Sequence, residues 1–95
     1  MQSIMDTEPG KCFVCGKIGP TELHHVFPGS RRNRCDQDGL TVYLCPYCHW
    51  KCHNTTNGIS AAEFRHPLYV KAQEKYEETH TREEFRERYG RNFLE

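Results

Sequence analysis

The segment Cys45-Pro-Tyr-Cys48-His49-Trp-Lys-Cys-His53 carries two kinds of metal-binding spacing at once. Cys45 and Cys48 form a C-x2-C knuckle, half of a structural zinc site. Cys12-Phe-Val-Cys15, followed by Gly16 where the knuckle must turn tightly, supplies a matching half. The four thiolates Cys12, Cys15, Cys45 and Cys48 predict one structural Zn2+ site. His49 and His53 are four residues apart, so a helix would present both imidazoles on one face. Successive helical residues point about 100° apart, which assigns Cys48 and the adjacent His49 to different ions. The spacing therefore predicts two metal sites, one holding the fold and one doing chemistry.

A histidine doublet, His24-His25, lies between the two knuckles. Adjacent strand residues face opposite ways, so one imidazole can meet a metal while the other stays free. Placing His24, His49 and His53 around one divalent cation leaves coordination positions for water or a substrate oxygen, the mark of a catalytic site. His25 then remains as a general base, the role for which an imidazole is suited at neutral pH. This combination points to phosphodiester hydrolysis, with the cation stabilising the departing oxygen. Arg31, Arg32 and Arg34 stand in a polar stretch nearby. As planar, permanently charged side chains they are natural phosphate ligands.

The elements that must position these residues are short. Leu23–Phe27 is read as a strand ended by a turn at Pro28-Gly29, with residues 29–39 as a loop. Leu40–Leu44, β-branched and aromatic, is a second strand that would pair antiparallel with the first and lead directly into Cys45. A helix bearing His49 and His53 follows and packs on the hairpin, with Trp50 in the interface. Residues 54–58 stop it. Ser60-x2-Glu63 opens a helical turn that His66-Pro67 interrupts, and a helix runs from Pro67 to about Thr79 with Tyr69, Ala72 and Tyr76 as its apolar stripe. Thr81-x2-Glu84 caps a last helix with Phe85 and Tyr89 on one face, stopped by Gly90. Residues 1–10 read as a flexible N-terminal tail and 11–95 as one zinc-stabilised domain with a helical extension from about 60. The expected class is α+β. Cys35 and Cys52 read as buried or free thiols, with Cys52 alternatively joining a metal site, and His66 and His80 as surface histidines.

Ninety-five residues with 36% hydrophobic content make one small domain that needs a staple, and six cysteines with six histidines offer one. With no apolar leader or span in view, the expectation is a cytoplasmic protein with no membrane partner, its cysteines binding metal rather than forming disulfides. Net charge is zero: +2 over residues 1–71 and −2 over 72–95. Bound cations would add positive charge to that count.

The order Cys12-x2-Cys15, His24-His25, Cys45-x2-Cys48-His49, His53 resembles an HNH (ββα-metal) endonuclease. More narrowly it is similar to small phage-borne HNH proteins related to the RecA-dependent recombination-enhancement nucleases. The resemblance is carried by His25-Val26-Phe27-Pro28-Gly29, by Gly39-Leu40-Thr41-Val42-Tyr43-Leu44-Cys45, and by the ending Glu84-Phe85 with Tyr89-Gly90-Arg91-Asn92-Phe93-Leu94. It covers roughly residues 11–94. It implies a β-hairpin plus helix that inserts at a DNA groove and cuts one strand, with His25 as base and His24, His49 and His53 holding a catalytic divalent metal (Mg2+, Mn2+, Ni2+ or Zn2+). Asn33 is the candidate for the family's middle asparagine. DNA would be the partner, with phage or recombination proteins besides, in a bacterial host cell. The competing expectation is a non-catalytic zinc-ribbon module that binds nucleic acid or protein, which would use the cysteines and leave the four histidines idle.

Overall fold

A computed structural model describes residues 3–27 and 29–94. Pro28 of the expected turn, residues 1–2 of the expected tail and Glu95 at the domain's end lie outside the described residues. The described residues form a small α+β domain with one two-stranded sheet and four α-helices. Strand β1 (Glu22–His25) pairs antiparallel with β2 (Thr41–Leu44), in the register Glu22 with Leu44, Leu23 with Tyr43, His24 with Val42 and His25 with Thr41. On β2, Thr41, Val42 and Leu44 are buried, so the sheet's inner face forms part of the core.

Residues 29–39 are not the expected loop. A 3-10 turn at Gly29–Arg31 runs into helix α1 (Arg32–Asp38), closed by Gly39 in the left-handed conformation with φ 74°. No side chain caps its N-terminus. Tertiary contacts hold it instead. Cys35 is fully buried, and its sulfur accepts from Phe27 N–H. Asp38 accepts from Arg88 Nε and Tyr89 Oη. A single buried residue in a polar stretch has no periodicity to announce a helix.

Helix α2 (Pro46–Lys51) starts with Cys45 as its N-cap and proline at its first position, where the missing N–H costs nothing. It ends sooner than expected. Cys52 is the C-cap and His53 lies one residue beyond, its N–H bonded to Trp50 O. Helix α3 (Ala61–Tyr76), capped by Ser60, is continuous through Pro67. The expected break there does not occur; Pro67 and Glu63, whose carbonyl loses its helical partner, are both exposed residues, where water can take up the lost bond. Helix α4 (Arg82–Tyr89) has the full capping box of Thr81 and Glu84 and ends on Gly90 with φ 78°.

Phe27 joins the sheet to the C-terminal half. Its ring lies 4.7–5.7 Å from those of Tyr69, Phe85, Tyr89 and Phe93. Gln73, buried on α3, donates to Glu77 and Asn92 and accepts from Phe93 N–H, which fixes the C-terminal segment with every polar atom of the amide engaged. Nor do residues 3–10 form a separate tail. Ile4 N–H bonds to Gly39 O, Ser3 Oγ donates to Thr41 O, Thr7 Oγ1 accepts from Tyr43 N–H, and Met5 is buried. The segment covers a stretch of β2 backbone that pairing with β1 leaves open. Among the described residues no helix is long and apolar enough to cross a membrane.

Candidate functional site

The two knuckles meet. Phe13 N–H bonds to Tyr43 O, which hooks the first knuckle onto β2 just before β2 delivers Cys45. In each knuckle the first sulfur accepts the backbone N–H three residues on: Cys12 Sγ from Cys15, Cys45 Sγ from Cys48. One ligand atom each from Cys12, Cys15, Cys45 and Cys48 lies within 4.8 Å of the others. Tetrahedral zinc–sulfur bonds of about 2.3 Å would set sulfurs about 3.8 Å apart. The Cys15 and Cys45 sulfurs stand 3.9 Å apart. Burial pushes the Cys12 thiol up, but hydrogen bonds from the backbone at Cys15, Cys45 and Val14 and from the Cys15 side chain outweigh it and bring it down to about 6. Burial and the neighbouring thiols Cys12, Cys45 and Cys15 push Cys48 the other way. Four sulfurs this close, most of them buried, share negative charge that a dication would relieve, so this group could hold a structural metal ion such as zinc.

The second group is His24 from β1, His49 from α2 and His53 from the turn after it, again with one ligand atom each within 4.8 Å. Ring centroids are 5.3, 6.1 and 5.5 Å apart around the triangle. His24 is buried, and its Nε2 makes no hydrogen bond among the described residues. A buried imidazole nitrogen without a partner costs stability unless something binds it. Burial, then the nearby His49, His53, His25 and Arg65, lower the His24 pKa to about 4. His24 is therefore a neutral imidazole with a free lone pair, as a metal ligand must be. His49 Nδ1 donates to Glu22 Oε1 at 2.7 Å, leaving Nε2 as its lone-pair nitrogen. The three histidines could hold a metal ion.

His25 occupies the neighbouring position on β1 and does not join the cluster. Its Nε2 donates to Asp36 Oδ1 at 2.6 Å, which fixes the tautomer and leaves Nδ1 as an acceptor. Leu23, His24, His25, Gly29, Arg32, His49 and His53 line one open cleft. Of the three expected arginines only Arg32 lines it. Arg34 donates from Nη1 to Arg88 O, and the Arg31 guanidinium lies against Gly90, so both turn to the C-terminal end. Asn33 is exposed on α1, not in a hairpin loop.

Three contributors carried no sequence signal. Glu22 and Asp36 are carboxylates in polar stretches, where charge is the ordinary surface content; only the pairing of Glu22 two positions before His24 on one strand face hints at a role. Arg65, on α3, donates from Nη1 to Cys52 O and from Nε to Tyr69 Oη, tying the end of α2, and with it His53, to the helical half. Cys35 and Cys52 are both buried, and burial raises each thiol to about 11, so neither is a ready thiolate. Trp50 is not in the helix–hairpin interface. It is 50% exposed.

Compared with protein-family models, curated proteins and solved structures, the chain has no significant match in any of the three.

Proposed function

We propose that this protein is a metal-dependent DNA endonuclease of the HNH type that hydrolyses phosphodiester bonds. The observation that carries the proposal is the pairing, across adjacent residues of β1, of a metal-ligand cluster and an oriented free base. His24 Nε2 is buried without a partner in the histidine triangle, while His25, held by Asp36, faces the same open cleft. A zinc-ribbon module needs neither.

His24, His49 and His53 would hold a divalent cation, which would supply Lewis acidity at the cleft and offset charge on a departing 3′ oxygen. The chain's own residues do the rest. His25 Nδ1 accepts the proton of a water molecule, whose oxygen forms the new bond to phosphorus as the bond to the 3′ oxygen breaks. Asp36 keeps Nε2 protonated and stabilises the imidazolium that results. Arg32 reaches phosphate oxygens from the cleft wall. Glu22 holds the His49 ring in place.

The test is a metal count joined to a cleavage assay. Native mass spectrometry should find two ions per chain, and supercoiled plasmid should be relaxed with at least one of Mg2+, Mn2+, Ni2+ or Zn2+. One ion per chain and no relaxation with any of the four would favour the non-catalytic zinc module.

A further inference from the structure

The outer face of α2 carries two large aromatic side chains that are half exposed. Tyr47 is 54% and Trp50 50% exposed. Their rings are nearly parallel, at 13° with centroids 6.3 Å apart. Lys51 Nζ sits 4.3 Å from the centre of the Tyr47 ring. Along α2 at about 100° per residue, Cys48 points into the core, His49 lies on the next stripe, and Trp50 with Tyr47 on the one after it. Trp50 therefore lies on the helix stripe next to that of His49, a residue of the cleft wall, with Tyr47 beyond it.

Exposed aromatic faces beside a cation, on the helix that also carries His49 of the cleft, are what a single nucleic-acid strand needs. Bases have π-faces to stack whatever their sequence, while the backbone follows positive charge. An intact duplex keeps its bases stacked on one another and has none to spare. We infer that Tyr47 and Trp50 are a stacking platform for unpaired bases, so that the substrate is single-stranded or locally unwound DNA. This rests on the nuclease reading for what happens to the strand, but not for its binding. The near-parallel planes let neighbouring bases of one strand lie flat on both rings, with Lys51 beside Tyr47 and Arg32 in the cleft as charge for the phosphates.

Trp50 is the chain's one tryptophan, so its fluorescence reports the platform alone. The experiment titrates zinc-loaded His25→Ala protein, which leaves the strand uncut, with a dT12 oligonucleotide and with a 12-base-pair duplex. Expected is strong quenching by dT12 and little by the duplex. Tyr47→Ala, read by Trp50 quenching, and Trp50→Ala, read by anisotropy of labelled dT12, should each weaken single-strand binding roughly 5- to 150-fold. Both side chains are exposed, so the variants should fold, and unchanged thermal melting checks this. Equal quenching by both DNAs, unchanged dT12 affinity in both variants, or no binding of dT12 by the parent would each overturn the platform; the last would leave the face to a protein partner. Plasmid relaxation by the parent separates the two ideas. Cleavage without single-strand stacking removes the platform and keeps the nuclease; stacking without cleavage does the reverse.

Discussion

Glu22 offers a sharp test of the histidine cluster because it touches the cluster without belonging to it. Its carboxylate accepts from His49 Nδ1 at 2.7 Å, and the two side chains are 53% and 28% exposed. An ion pair this open contributes at most about 0.5–1 kcal/mol to folding, so its loss should leave the domain intact. Its effect on a metal at His49 is expected to be larger. Removing a carboxylate that orients and polarises a ligating imidazole costs about 10- to 100-fold in metal affinity, or about 1.4–2.7 kcal/mol. Glu22→Gln keeps an acceptor oxygen for Nδ1–H and removes only the charge, which places it near the tenfold end. Glu22→Ala loses both and should approach 100-fold. The assay is calorimetric titration of the histidine site with Ni2+, zinc being kept in the cysteine site. Identical affinities in the parent and both variants would refute the orienting role. Loss of the cysteine-bound ion along with the histidine-bound one would show that the change acts through the fold.

Three further outcomes are expected. His24 has a folded-state pKa of about 4 against 6.5, so between those values the unfolded chain binds more protons; with the histidine site metal-free, stability should fall as pH drops from about 6.5 to about 4, by on the order of 3 kcal/mol. Urea unfolding at several pH values checks it, and His24→Phe should flatten the slope. Phe27→Ala removes the ring that Tyr69, Phe85, Tyr89 and Phe93 surround and should cost about 3–5 kcal/mol, a large share of the roughly 5–14 kcal/mol expected for 95 residues; a loss under about 1 kcal/mol would deny that this cluster joins the two halves. Cys45→Ser should lose the structural ion and unfold much of the domain, seen as loss of a cooperative thermal transition, because metal affinity at such a site is folding free energy.

The features legible in the sequence are those whose cause is local. Two C-x2-C knuckles, the cap at Ser60, the box of Thr81 with Glu84 and the stop at Gly90 each depend on a few neighbouring residues, and each appears where its spacing placed it. The histidine triangle was legible for the same reason, although His53 reaches it from a turn rather than from the helix. What stayed hidden depends on distant partners. Helix α1 exists because Cys35 is gripped by Phe27, eight residues back across a turn, and Asp38 by Arg88 and Tyr89, 50 and 51 residues on. Pro67 should have broken α3, but it and Glu63 are exposed residues, where water can take up the lost bond. Trp50 looked like core because large aromatics usually are, and only the angular order of α2 turns it outward. Asp36 and Glu22 could not be told from surface charge until the fold set them against His25 and His49.

The central claim is that His25 is the base of a metal-dependent hydrolysis, and the rate of DNA cleavage by His25→Ala against the parent, under the parent's best metal, tests it most directly. Asp36 is 55% exposed, so the substitution strands no buried charge. His25→Ala should therefore keep its fold, both ions and most of its DNA affinity. Its cleavage rate should fall roughly 10²- to 10⁴-fold, the usual share of a general base. A His25→Ala protein that binds both ions and cuts as fast as the parent would contradict the claim.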